Sequence, residues 1–202
     1  MSFLEYSFPG TLVLIVLFTA IFSTISIIED RREGFLQAVI AAPVRRTAIV
    51  LGKVLGSTTL AVAQALLFLM LAPLSGIPLT AGSVLALMGL LVIVAMGLSA
   101  LGFLIAWPMD STQGFHAIMN LFLMPMWLLS GAFFPASGAS RWLAWVMAAN
   151  PLTYAVAGVR HALYLGRENA ATAPSPTVSI AVTIAFAAAM IFLAGRAAAA
   201  KG

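Results

Sequence analysis

The chain has 202 residues, of which 62% are hydrophobic and only 8% are charged. A soluble domain carries about 25% charged residues, so this composition excludes soluble globular, disordered and fibrous proteins. The 56 consecutive residues between Lys53 and Asp110 contain no Asp, Glu, Lys or Arg, a length that holds two helices crossing the ~30 Å hydrocarbon core of a bilayer. The sequence therefore predicts an integral membrane protein.

Five apolar segments are long enough to be transmembrane helices: 9–28, 54–74, 83–107, 115–134 and 176–194. The second and third are separated by a short turn that contains Gly76, Pro78 and Gly82. Each run is continuous and about twice as long as a strand of a membrane β-barrel. The predicted fold class is all-α, a polytopic membrane protein of about five transmembrane helices in a single domain, 1–202.

Lys and Arg are distributed unevenly between the two sides that five spans define. Seven of the ten lie in the 29–53 loop and the C-terminal tail, namely Arg31, Arg32, Arg45, Arg46, Lys53, Arg196 and Lys201. The opposite side has only Arg141, Arg160 and Arg167. By the positive-inside rule, the loop and the C-terminus are predicted to be cytoplasmic and the N-terminus external. The basic residues do not form one patch, so no nucleic-acid partner is predicted.

Several activities are disfavoured by what the chain lacks. No ionisable residue lies in the middle of a predicted span, which disfavours proton-driven and sodium-driven carriers. Gly52-Lys53 is followed by Val54, where a phosphate-binding loop needs Ser or Thr. Two histidines and no cysteine predict neither a metal site nor a disulfide framework. No cofactor is therefore predicted on this chain, and any energy for transport must come from a partner.

An intramembrane serine hydrolase is the enzyme alternative. It would require Ser130, which precedes Gly131, as nucleophile and either His116 or His161 as base. The predicted topology places His116 near the inner face, whereas Ser130 and His161 lie towards the outer face. We expect the Ser130 hydroxyl to bond to its own backbone or to pack against a neighbouring helix.

The 29–53 loop contains an amphipathic segment whose apolar face consists of Phe35, Leu36, Val39 and Ile40. Acidic residues precede this segment and two arginines follow it, which complements a helix dipole. Pro43 predicts a bend directly after the segment. Two interpretations are open: a helix that rests among the lipid headgroups, and a helix that offers Phe35 and Leu36 to a cytoplasmic partner.

Two patterns in this chain carry a family resemblance. The first reads Glu33-Gly34-Phe35-Leu36, then Ala42-Pro43 and Arg46, then Leu51-Gly52-Lys53. The second reads Leu129-Ser130-Gly131-Ala132 and Phe134-Pro135, then Asn150-Pro151-Leu152-Thr153-Tyr154 and Arg160. In this order they resemble the first cytoplasmic loop and the last outer loop of the ABC-2 (type-2) exporter permeases. The resemblance covers the chain from Phe8 to the C-terminus.

The resemblance implies the membrane subunit of an ATP-driven exporter, with no catalytic site of its own. Two permease subunits would pair as a homo- or heterodimer, and separate ATPase subunits carrying ATP and Mg would dock on the cytoplasmic loops. It implies that the following residues couple to the ATPase: Glu33, Gly34, Phe35, Leu36, Val39, Ile40, Pro43 and Arg46. Members of the family move drugs, glycolipids or polysaccharides, and charge-free spans favour an amphiphilic cargo. A non-transporting membrane assembly factor is a further alternative.

Residues 135–175 are predicted to form short external helices. Trp142 and Trp145 suit a helix at the membrane interface. Asn150 is a good N-cap and Pro151 suits the first position of a following helix that ends near Leu165. The resemblance implies an outer lid over the translocation path, with the family signature at Ser130, Gly131, Pro135, Asn150, Pro151, Tyr154 and Arg160.

Gln64 and Asn120 are amides within predicted spans. They could contact substrate, although hydrogen bonding between helices is the more common role of such residues. Family members usually have six spans, and the first recognisable element here corresponds to the second. Pro9 stands near the start of a segment that reads like an external loop entering a span, so we expect one further span and a basic segment upstream of Met1. A genuine five-span variant is the alternative.

Overall fold

The computed structural model describes residues 3–41, 45–133, 140–165 and 174–200. Most of these residues are helical and none of them is in a strand, which confirms the predicted all-α class. In chain order the helices are α1 (Phe3–Phe22), α2 (Ser26–Arg32), α3 (Phe35–Ala41), α4 (Arg46–Leu69), α5 (Ala81–Ala106), α6 (Thr112–Leu128), α7 (Arg141–Ala149), α8 (Pro151–Leu163) and α9 (Pro176–Ala200).

Four helical segments within the described residues are long and apolar enough to cross a membrane: Phe3–Arg32, Arg46–Leu69, Ala81–Ala106 and Pro176–Ala200. The first joins α1 to α2 through the single 3₁₀ turn Ser23–Ile25. Taken together, α7 and α8 form a fifth candidate, although they are bent by 80° at Asn150. The chain is therefore a multi-pass membrane protein.

The predicted span 115–134 differs most from the structure. Its helix, α6, has 17 residues and ends at Leu128, so it is about 26 Å long and shorter than the ~30 Å hydrocarbon core. A turn follows, in which Gly131 has a φ of 78°, a left-handed conformation that stops a helix. Because apolar residues flank the pair Ser130-Gly131 on both sides, the hydropathy pattern did not reveal this turn. The predicted 29–53 loop is also shorter, because α2 continues to Arg32 and α4 begins at Arg46.

Helix α5 lies at the centre of the packing, in contact with α1, α4, α8 and α9. It is apolar on all sides, as expected of a helix surrounded by other helices. Glycines permit its closest approaches: a Cβ at Gly102 would lie 3.1 Å from Cα of Ile21, and one at Gly97 would lie 3.1 Å from Cα of Ala187. Close packing of small residues is the usual way in which membrane helices associate.

Long-range contacts define two ends of the bundle. At one end, Tyr6 near the start of α1 contacts Gly131 and Arg160. At the other end, the Arg46 guanidinium at the start of α4 donates a hydrogen bond of 3.2 Å to the Ala198 carbonyl in α9. We call these the signature end and the basic end. The two predicted groups of site residues therefore lie at opposite ends of the same helices.

Candidate functional site

At the basic end, Gly34 connects α2 to α3 in a fixed geometry. Its φ of 80° lies in the left-handed region that glycine adopts without strain. The Gly34 N–H donates to the Arg31 carbonyl at 3.3 Å, and the Gly34 carbonyl accepts from the Ala38 N–H at 3.3 Å. The two short helices therefore form one continuous hydrogen-bonded corner rather than two helices on a loose linker.

The structure separates the two residues that were predicted to dock together. Phe35 is 60% exposed, whereas Leu36 is 4% exposed and packs in the chain's own core. The docking prediction is therefore corrected for Leu36, since a buried side chain is not offered to a partner. Leu36 instead anchors α3 to the bundle, with the half-buried Val39 one turn later on the same side.

The remaining residues predicted for coupling are distributed around this corner. Glu33 is exposed at the end of α2. Arg46 is held by the carbonyl of Ala198, which is one of the last carbonyls of α9 and attracts a cation by its position in the helix dipole. The side chain of Ile40 and all of Pro43 lie outside the described residues.

At the signature end, Asn150 joins three helices. Its side-chain Oδ1 accepts the Leu152 N–H at 3.0 Å, which caps α8, and its Nδ2 donates to the Met126 carbonyl in the last turn of α6. Pro151 occupies the first turn of α8, where a missing N–H has no cost. The cap and the helix start that the sequence predicts are thus confirmed, while the bond to α6 is additional.

Thr153 and Tyr154 close the 80° bend between α7 and α8. The Thr153 hydroxyl donates to the Met147 carbonyl at 2.7 Å, and the Tyr154 hydroxyl donates to the Ala148 carbonyl at 2.9 Å. Both carbonyls belong to the end of α7, where most helical acceptors lack backbone donors, and the Met147 carbonyl also accepts the Asn150 N–H at 3.2 Å. The Asn-Pro-Leu-Thr-Tyr pattern therefore encodes a corner whose exposed backbone groups are satisfied by its own side chains.

Arg160 is buried, with 5% exposure, between α8, α1 and the turn after α6. Its guanidinium lies 4.3 Å from the ring centroid of Tyr6 and donates to the carbonyls of Tyr6 and Gly131 at 3.3 and 3.4 Å. The Tyr6 hydroxyl donates to the same Gly131 carbonyl at 3.2 Å. Arg160, Tyr6 and Gly131 therefore form a group that we call the Arg160 cluster. It connects the turn after α6 to the start of α1.

Tyr164, directly after α8, makes a further contact with the start of α1. Sequence reasoning did not include this residue. Pro9 lies within α1 and has no N–H for the Glu5 carbonyl four residues earlier. The Tyr164 hydroxyl donates to this carbonyl at 2.6 Å. The proline was a signal in the sequence that an outside donor is needed, but nothing local indicated which residue supplies it.

A family model described as ABC-2 type transporter matches residues 2–164, a range that includes the α2–α3 corner and the Arg160 cluster. The chain belongs to the ABC-2 type transporter family. Members of this family are transport subunits that are not themselves catalytic.

Relatives of this ABC-2 chain occur among algal proteins. It is 26% identical over 163 residues to "Putative transport permease ycf38" of Porphyra purpurea, covering 79% of this chain and 56% of that protein. It is 24% identical over 161 residues to the protein of the same name from Cyanophora paradoxa, with the same coverage of each. The chain thus spans just over half the length of the curated relatives that it matches.

The structure also bears on the hydrolase alternative. Ser130 is buried, and its hydroxyl donates to the Trp127 carbonyl at 2.5 Å. His161 is engaged elsewhere, with its Nε2 3.0 Å from the Pro174 carbonyl. The Ser130 hydroxyl therefore satisfies its own backbone, as expected from the sequence, and this ABC-2 chain gives no support for a serine nucleophile.

The two predicted amides behave differently. Gln64 in α4 accepts a hydrogen bond from the Thr19 hydroxyl in α1, which favours helix association as its role. Asn120 lies on the exposed face of α6. A role of either residue in a substrate pathway stays a prediction.

The predicted external lid corresponds to two helices with different surroundings. α7 is exposed, with Trp142 and Trp145 among its outward side chains. α8 is buried along most of its length and packs against α1, α5 and α9. A lid role stays a prediction for α7, whereas α8 is part of the helical core. Pro135 of the signature lies outside the described residues.

Proposed function

We propose that this chain is the membrane permease subunit of an ATP-driven exporter in a bacterial cytoplasmic membrane. It would move an amphiphilic substrate, such as a drug, a lipid-linked sugar or a polysaccharide, out of the cell. A second permease subunit would complete the pathway, and a separate ATPase subunit with bound ATP and Mg would supply the energy. Membership of the ABC-2 family supports the permease role.

The observation that carries this proposal is the exposed aromatic ring of Phe35 on an anchored helix. The buried Leu36 and the Gly34 corner fix α3 on the bundle, so Phe35 is held in place before a partner binds. A preorganised aromatic side chain is the type of residue that dominates the energy of protein interfaces. We assign it to the ATPase subunit.

The charge distribution supports the proposed orientation. The bond from Arg46 to Ala198 places the loop after α3 and the end of α9 at the same end of the bundle. Basic residues concentrated at one end of a membrane protein favour a cytoplasmic position for that end. Helices α5 and α6, by contrast, contain no Asp, Glu, Lys or Arg, which supports an amphiphilic rather than an ionic cargo.

Phe35→Asp is expected to lower the capture of the ATPase subunit at least tenfold. Burial of one such ring contributes about 1.5–3 kcal/mol, about 1.4 kcal/mol corresponds to a factor of ten, and a buried unpaired charge adds a further penalty. The measurement is co-purification of a co-expressed ATPase subunit with the tagged permease, together with the rate of ATP hydrolysis.

Gln37→Asp is the matched control, because Gln37 is an exposed polar residue on the same helix. It introduces the same charge without removing an apolar side chain, so the ATPase should bind at the wild-type level. The amount of each variant in the membrane fraction should be unchanged. If Phe35→Asp retains the ATPase and its hydrolysis rate, α3 rests on the membrane surface and does not dock a partner.

Labelling of single cysteines tests the orientation in this cysteine-free chain. Ser140 and Arg45 are both exposed and lie at opposite ends of the bundle. Ser140→Cys should react with a membrane-impermeant maleimide on intact cells, whereas Arg45→Cys should react only after permeabilisation. The reverse pattern would place α3 outside and remove the basis for an ATPase at this helix.

A further inference from the structure

Asp30 and Arg31, two adjacent residues in α2 at the end of the first span, contact two different helices. Asp30 accepts a hydrogen bond from the Lys53 ammonium group near the start of α4. The same ammonium donates to the Ser26 hydroxyl at 3.0 Å. The Asp30 and Lys53 side chains are only 21% and 27% exposed. Dissolved salt therefore screens the attraction between them less than it would for an ion pair at the exposed surface.

Arg31 binds the end of α5 instead. Its guanidinium donates to the carbonyls of Trp107 and Met109, lies 5.6 Å from the Trp107 ring centroid, and pairs with the Asp110 carboxylate at 3.0 Å. The carboxylate is 81% exposed, so this ion pair contributes little by itself. The carbonyls at the helix end are the stronger anchor, since they lack helical donors and attract a cation.

These contacts lie directly beside the helix that we propose as the docking site. Only Arg32, Glu33 and Gly34 separate Arg31 from Phe35. The Glu33 N–H donates to the Glu29 carbonyl at 2.9 Å, which continues the hydrogen bonding of α2 up to the Gly34 corner. No flexible segment therefore lies between Phe35 and the pair formed by Asp30 and Arg31.

We infer that Asp30 and Arg31 form a transmission clamp, which converts a movement of α3 into a joint movement of α2, the first part of α4 and the end of α5. This inference rests on the proposed function and names how that function is coupled to the spans. Both are positioning residues, since they act through Lys53 and through the end of α5. ATP binding can shift the spans only if contacts differ between the two states of the complex. The contacts of Asp30 and Arg31 would transmit this shift from α3 to the spans.

The test uses the complete chain in complex with its ATPase subunit. A cysteine at Asn120, on the exposed face of α6, reports on the membrane helices without requiring a known substrate. Its reaction rate with a maleimide is measured with and without ATP and vanadate. In the otherwise unchanged complex, ATP and vanadate should change this rate.

Asp30→Asn and Arg31→Gln should each leave the ATPase bound and hydrolysing ATP. The ATP-dependent change at position 120 should fall by about fivefold or more, the lower end of the range for coupled sites. Glu29→Gln and Arg32→Gln are the matched controls, because they remove the same charges from exposed neighbours on the same helix. Both controls should keep the full change.

A charge exchange separates coupling from simple destabilisation. Asp30→Lys and Lys53→Asp should each abolish the change, and the double variant should restore it. The clamp is overturned if Asp30→Asn and Arg31→Gln keep the full change, if they release the ATPase as Phe35→Asp does, or if the exchange gives no rescue. If the unsubstituted complex binds no ATPase, the proposed function fails first and the clamp with it.

Discussion

Replacing Arg160 with alanine is expected to destabilise the folded chain by about 2–4 kcal/mol. Loss of hydrogen bonds from a charged donor to carbonyls costs about 1.5–3 kcal/mol, and loss of a cation–π contact in a buried site costs about 0.5–2 kcal/mol. The Gly131 carbonyl keeps the Tyr6 hydroxyl as a donor, while the Tyr6 carbonyl loses the guanidinium. In a protein of this size such a loss lowers the midpoint of thermal unfolding by roughly 5–15 °C, which tryptophan fluorescence in detergent can follow.

Arg141→Ala is the matched control for this prediction. Arg141 is exposed at the start of α7, so its removal should leave the unfolding midpoint unchanged. Arg160→Lys keeps a positive charge but loses the planar guanidinium and should fall between alanine and wild type. Equal midpoints for Arg160→Ala and Arg141→Ala would show that Arg160 does not hold the signature end together.

Local signals were sufficient to predict some elements of this fold. The start of α8 followed from Asn150 and Pro151, because a cap and a first-turn proline act within one helical turn. The membrane helices followed from apolar length. The turn at Gly131 was missed because its signal is only the pair Ser130-Gly131, which apolar residues flank on both sides.

Other features depend on contacts between distant residues and could not be derived from pattern. Phe35 and Leu36 lie on the same apolar side of α3, but adjacent helical residues differ by about 100° around the axis. Only the position of α3 against the bundle decides which of the two is buried. The contact between Tyr164 and Glu5 and the contact between Arg31 and Asp110 likewise bring together residues far apart in sequence.

Replacing Asn150 with alanine is the second substitution with a large expected effect. It removes the cap of α8, which is typically worth about 1 kcal/mol. It also removes the donor to the partly buried Met126 carbonyl, and an acceptor left without a partner costs up to about 1–3 kcal/mol. The expected loss of unfolding free energy is about 2–4 kcal/mol, measured as a lower unfolding midpoint in detergent.

Two further variants separate the contributions of Asn150. Asn150→Asp keeps the acceptor for the Leu152 N–H but loses the donor to Met126, so its midpoint should lie between those of alanine and wild type. Ser140 occupies the corresponding N-cap position of α7, and its side chain makes no capping hydrogen bond within the described part of the chain. Ser140→Ala should therefore leave stability unchanged. If it destabilises the chain as much as Asn150→Ala does, the effect at Asn150 reflects a general sensitivity of the α7–α8 corner, and the specific bridge from α8 to α6 is not its cause.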